Sequence, residues 1–319
     1  MTNKQKKALV FSAILAVPLL SAAAVVLRAI ALFTAFDGKD YFLPDSPLPS
    51  AFLVLTLAAF FVFLLFALIA RKKLSIHVAE RTELSILFSS AFLCVTLVVT
   101  IFVSILSALS ATGPYMSLFY ALIAAFGAIS IGYFSFALRS ISPSRSALRT
   151  YLALSPCLLS LAAAILLYFD QSTQMNAPAK LISLAAFLLL ACAFLVECRF
   201  YISAPSPAMR YLTLGVGFYL SISASFPHLI YTLARGTVLS LSTVFDFLLF
   251  AFALYLLSRL FELLPQDNGD THAMVKEAAD EKEASLSEGE ESAPDASADD
   301  KAEALPTEED AAAQKTETE

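Results

Sequence analysis

AFLVLTLAAFFVFLLFALIA, residues 51 to 70, holds one polar side chain, Thr56. It is closed by Pro47, Pro49 and Ser50 on one side and by Arg71, Lys72 and Lys73 on the other. Twenty helical residues rise about 30 Å at 1.5 Å each, the thickness of a bilayer's hydrocarbon core. Hydrocarbon offers backbone amides no partners, so a segment crossing it must satisfy its own hydrogen bonds as a helix. This stretch therefore reads as a transmembrane helix.

Working outward, comparable runs lie near 8–36, 85–109, 116–138, 151–169, 179–198, 211–233 and 238–260. Breakers separate them: Gly113-Pro114, Asn176 to Pro178, and Arg235-Gly236. The fold class this predicts is all-α, a polytopic helical membrane bundle of eight transmembrane helices over 1–261, followed by a tail over 262–319.

The formal net charge of -6 hides two opposed parts. Of 27 acidic and 21 basic residues, 262–319 holds 19 and 4, a net of -15, which leaves 8 and 17, a net of +9, for 1–261. The tail, rich in Ala, Glu, Asp, Ser and Pro, has little to bury and is expected to be disordered. The basic residues of the remainder border apolar spans, so they suit anionic lipid headgroups and no nucleic-acid partner is implied. Thirteen Lys and Arg, from Lys4 to Arg259, flank one side of the spans, against Lys39, Lys180 and Arg235 on the other. By the positive-inside rule both termini are expected in the cytoplasm.

The opening apolar run passes a small-residue patch, Ser21 to Ala24, that a signal peptidase would accept. Apolarity continues through Val25, Val26 and Leu27 to Phe33, which favours an uncleaved first span. Two echoes hint at duplication. FTAFD (33–37) and LYFD (167–170) close spans one and five, as two parallel four-helix halves would. RSISPSRSALRTYL (139–152) against RFYISAPSPAMRYL (199–212) fits a two-span hairpin unit instead.

Ionisable residues inside spans mark candidate sites, because each costs roughly 2.5 to 3.5 kcal/mol at a helix centre. Asp246 lies between Arg235 and Arg259, near mid-membrane by residue count. Arg28 and His228 fall toward the outer side. The expected substrate-binding residues are Asp246, His228, Arg28, Ser225 and Ser221. Ser221, Ser225, His228 and Thr232 share one helical face, with Pro227 expected to kink the helix beside them. Thr96, Thr100, Ser104 and Ser107 make a similar row. The plainer reading of these groups is helix packing, with Arg28 snorkelling outward and Asp246 pairing with Arg28 or nearby hydroxyls. Glu197, Arg199, Glu80, Arg81 and Glu83 read as interfacial charges. Asp37, Asp40 and Asp45 lack the spacing of a cation-binding loop and read as solvated turn residues.

Cys94, Cys157, Cys192 and Cys198 lack metal-ligand spacing and read as small buried apolar residues. With His228, His77 and His272 as the only histidines, no metal centre and no cofactor is expected. No Walker A, G-x-G-x-x-G, H-E-x-x-H or G-x-S-x-G motif occurs, which removes support for ATP-driven and conventional hydrolytic mechanisms. In place of tryptophan, Tyr115, Tyr168, Tyr211 and Tyr231 stand near expected interfaces.

RAIALFTAFDGKDYF, Arg28 to Phe42, sets an arginine-bearing first span ahead of Phe-Asp and Tyr-Phe. In this it resembles uncharacterised multi-span membrane proteins of Gram-positive bacteria. The resemblance implies a bacterial plasma membrane and no activity.

The preferred expectation is a non-enzymatic integral membrane protein that binds, moves or senses a small solute at a polar intramembrane site. One alternative is a scaffold whose acidic tail recruits a basic cytoplasmic protein. Another is an intramembrane lipid-modifying enzyme using Asp246 and His228 as an acid/base pair.

Overall fold

The computed structural model describes residues 3–36, 42–43, 45–71, 84–111, 113–138, 147–170, 177–202, 206–236 and 241–264. The acidic tail from 265 on, His77, His272, Glu80, Arg81, Glu83, Asp37, Asp40 and most of the 139–152 loop motif lie outside the described residues. The bundle is all-helical: α1 (Asn3–Thr34), α2 (Leu48–Ala70), α3 (Leu84–Ser110), α4 (Pro114–Leu138), α5 (Ala147–Phe169), α6 (Pro178–Ile202), α7 (Pro207–Ala234) and α8 (Leu241–Phe261). Each is long and apolar enough to cross a membrane. Proline opens α4, α6 and α7, where its fixed φ suits the helix and its missing N–H would have no partner anyway. After α7, the Gly236 N–H donates to the Leu233 carbonyl at 3.2 Å with φ at 63°, a left-handed residue that glycine reaches without strain.

α1 runs unbroken through Ser21 to Ala24, and α7 through Pro227. α3 to α8 form a closed circuit, each packed on the next and α8 returning to α3, while α1 and α2 sit against α7. Its interior is filled by aromatic rings. Phe134 lies 4.9 Å from Tyr255 and 6.1 Å from Phe194, and Phe194 lies 5.3 Å from Phe252, so α4, α6 and α8 meet in a solid core. The packing does not repeat between the expected four-helix halves. α5 to α8 are consecutive neighbours, whereas α2 packs on α1 and α7.

The outer surface is apolar. Leu53, Val54, Leu57, Phe61, Leu65 and Leu68 on α2 are all more than half exposed. A continuous apolar face of this kind marks a surface that meets lipid. α7 and α8, by contrast, are 72% and 67% buried over their apolar windows and form the middle of the bundle. Two glycines let α7 approach its neighbours. A Cβ on Gly215 would stand 3.3 Å from Val17 of α1, and one on Gly217 would stand 3.0 Å from Leu256 of α8. Close backbone approach through small residues is how helices associate where lipid removes the hydrophobic drive.

Two readings of the tyrosines and cysteines change. Tyr115 and Tyr168 are exposed as a belt requires, but Tyr211 and Tyr231 are buried between helices. Cys157 and Cys198 are buried and Cys94 is half-buried, whereas Cys192 is exposed on the outside of α6.

Candidate functional site

The helix register fixes where the polar groups lie. α1 and α7 run parallel at a nearly constant offset: Tyr211 donates its hydroxyl to the Ala13 carbonyl at 2.8 Å, Gly215 abuts Val17, and the Tyr231 ring lies 5.5 Å from Phe33, each pair 198 residues apart. This places Arg28 level with Phe226, about half a turn from His228. α7 and α8 are antiparallel, and His228 Nδ1 meets Asp246 Oδ2 at 2.5 Å. Residues from α1, α7 and α8 thus reach one level of the bundle, toward the end where α7 gives way to α8.

Asp246 is the sixth residue of α8 counted from Leu241, about 8 Å along the helix at 1.5 Å per residue. It is buried, while His228 is half-buried.

Arg28 is 2% exposed and its guanidinium carbon lies 5.7 Å from the centre of the Phe52 ring on α2. Asp246 is the acidic group whose field acts on it. No ion pair forms between them, and Arg28 Nε and Nη1 are buried with no hydrogen-bond partner. Arg28 therefore does not snorkel outward. It is held inside the bundle with donors unspent.

The hydroxyl stripes contribute less than their spacing suggests. Ser225 is buried and donates to the Ser221 carbonyl at 2.7 Å. Ser221 is also buried and its Oγ has no partner. The two serines line α7 below the ionisable group rather than bonding to it. On α3, Thr96 donates to the Phe92 carbonyl and Thr100 to that of Thr96, so both hydroxyls are spent on their own helix.

The opposite end of the bundle, where α1 begins and α8 finishes, holds a second ionic group that span-end charges did not reveal. Arg210 of α7 donates through Nε to Glu197 Oε1 of α6 at 2.9 Å and through Nη2 to Glu262 Oε2 at 3.0 Å. Arg259 of α8 donates through Nη2 to Glu197 Oε2 at 2.8 Å and through Nη1 to Glu262 Oε1 at 2.5 Å. The four side chains close a neutral ring of alternating charge that ties three helices, with Glu197 and Arg210 1% exposed. Glu197 is no ordinary interfacial charge, although Arg199, two residues on and across the helix, is exposed as expected. Among the described residues no group of His, Cys, Asp and Glu is arranged to hold a metal.

No family model, curated protein or solved structure matches this chain. Its character rests on its own architecture, that of a multi-pass integral membrane protein with eight apolar helices among the described residues.

Proposed function

We propose that this protein binds a small solute at the group formed by Asp246, His228 and Arg28, and moves it across the membrane or senses it there. The observation that carries this reading is the convergence of three ionisable side chains from α1, α7 and α8 at one level of the bundle. Buried ions cost several kcal/mol each, and a bundle that only anchors a tail gains nothing from them. The Lys and Arg asymmetry supports both termini lying in the cytoplasm, which puts this group toward the outer face and the Glu197 ring toward the inner one.

The test is solute flux and solute-induced stabilisation of the full-length protein reconstituted in liposomes, compared with Asp246→Asn. Loss of both in the variant, with the fold retained, is the expected result. Unchanged behaviour would remove Asp246 from the function.

The 2.5 Å contact between His228 and Asp246 also favours a second reading, an acid/base pair acting on lipid. Turnover of a labelled phospholipid by the purified protein, lost in His228→Gln, would select it. The tail supports a third, a scaffold for a basic cytoplasmic protein. Deleting 265–319 should abolish such a partnership and leave solute flux intact.

A further inference from the structure

We propose that the solute carries a single carboxylate, and that the guanidinium of Arg28 receives it. This rests on the solute-binding reading above and names the chemistry of its ligand.

Arg28 differs from the other buried arginines. Arg210 and Arg259 each bind two carboxylates, those of Glu197 and Glu262. Arg28 is buried like Arg210 and more deeply than the half-buried Arg259, whose Nε is also unpartnered, yet Arg28 Nε and Nη1 both lack an acceptor and no carboxylate among the described residues pairs with it. An arginine is a permanent cation whose donors demand oxygen acceptors, and buried donors are normally filled. The missing partner is an oxygen acceptor, and the permanent positive charge of the guanidinium favours an anionic one.

Charge limits which anion fits. One guanidinium stands against one carboxylate, and that carboxylate is already engaged by His228. Arg28 and Asp246 already sum to zero, so a bound monoanion leaves the group at one negative charge and a dianion such as hydrogen phosphate at two, and the second charge is the costlier in surroundings of low dielectric. The Phe52 ring beside the guanidinium supplies an apolar wall for the rest of the molecule. A short monocarboxylate with an apolar body satisfies both.

The experiment uses the full-length protein in lipid nanodiscs, titrated at constant ionic strength with acetate, propionate or benzoate, and in parallel with phosphate, choline or sorbitol. Binding is followed by calorimetry and by the thermal midpoint. Saturable stabilisation by the monocarboxylates, absent with phosphate, is expected. Arg28→Lys keeps the charge but loses the planar donor array, and should weaken binding at least tenfold. Arg28→Gln should abolish it. Should the Arg28 variants fail to fold, Phe52→Ala provides the second arm, with weakened binding of benzoate relative to acetate expected.

Saturable binding of choline or sorbitol that requires Asp246, with no response to any carboxylate, would overturn the carboxylate inference while leaving the solute-binding reading in place. No response to any probe class would overturn both. Carboxylate binding that survives Arg28→Gln unchanged would also overturn the inference, since the anion would then sit elsewhere.

Discussion

Arg210 and Glu197 meet at 2.9 Å across the α6–α7 packing, in the first turn of one helix and near the last turn of the other, with both side chains 1% exposed. The pair is half of a closed ring, because each member also binds a second partner on or just after α8. Removing Glu197 leaves Arg210 and Arg259 facing each other without the charge between them. Breaking a buried pair by removing one partner typically costs about 3 to 5 kcal/mol. Glu197→Gln should therefore lower unfolding stability in detergent by an amount of that order. Glu262→Gln should cost less, since Glu262 is 10% exposed and water can compensate. Equal effects of the two substitutions would contradict a ring sealed at Glu197.

Tyr211 crosses from α7 to α1 to reach the Ala13 carbonyl at 2.8 Å, and its side chain is fully buried. Tyr211→Phe keeps the ring and deletes the bond, at an expected cost of about 1 kcal/mol. Tyr115 is 79% exposed, so Tyr115→Phe should change nothing measurable by the same assay.

The close approach of α7 to α8 makes a second steric prediction. A Cβ on Gly217 would stand 3.0 Å from Leu256, whereas one on Gly113 meets nothing within 4 Å. Gly217→Val should cost about 1 to 3 kcal/mol as an overpacked core, and Gly113→Ala should be tolerated. Thermal unfolding of the two variants side by side checks the relation. A stable Gly217→Val would mean that α8 yields at this level.

Much of this architecture is legible in the sequence because lipid imposes one demand on every span, a run of apolar residues of fixed length. The expected span over 51–70 and the helix Leu48–Ala70 differ by three residues at one end and none at the other. Asp246, His228 and Arg28 were legible as candidates for the converse reason, since a charge inside such a run stands out. Glu197, Arg210, Arg259 and Glu262 were not, because charges are ordinary at span ends. Whether a span-end charge faces water or another helix depends on packing that sequence spacing does not contain. Glu197 and Arg199 make the point: two residues apart, they take opposite sides of α6, one sealed and one exposed.

The relation between Arg28 and Asp246 gives the last prediction. They share no hydrogen bond, yet Asp246 is the acidic group whose charge reaches the buried guanidinium that lies over the Phe52 ring. Asp246→Asn removes that compensation while preserving shape, so the cost includes an uncompensated cation as well as the contact with His228. His228→Gln loses only the contact. Asp246→Asn should thus destabilise the empty protein more than His228→Gln does. Adding Arg28→Gln to Asp246→Asn should restore part of the loss, because the double variant has no charge left to strand. Coupled neighbours typically show interaction energies of about 0.5 to 3 kcal/mol in such a cycle. Additive effects would mean that each residue is solvated on its own and that the two do not share one site.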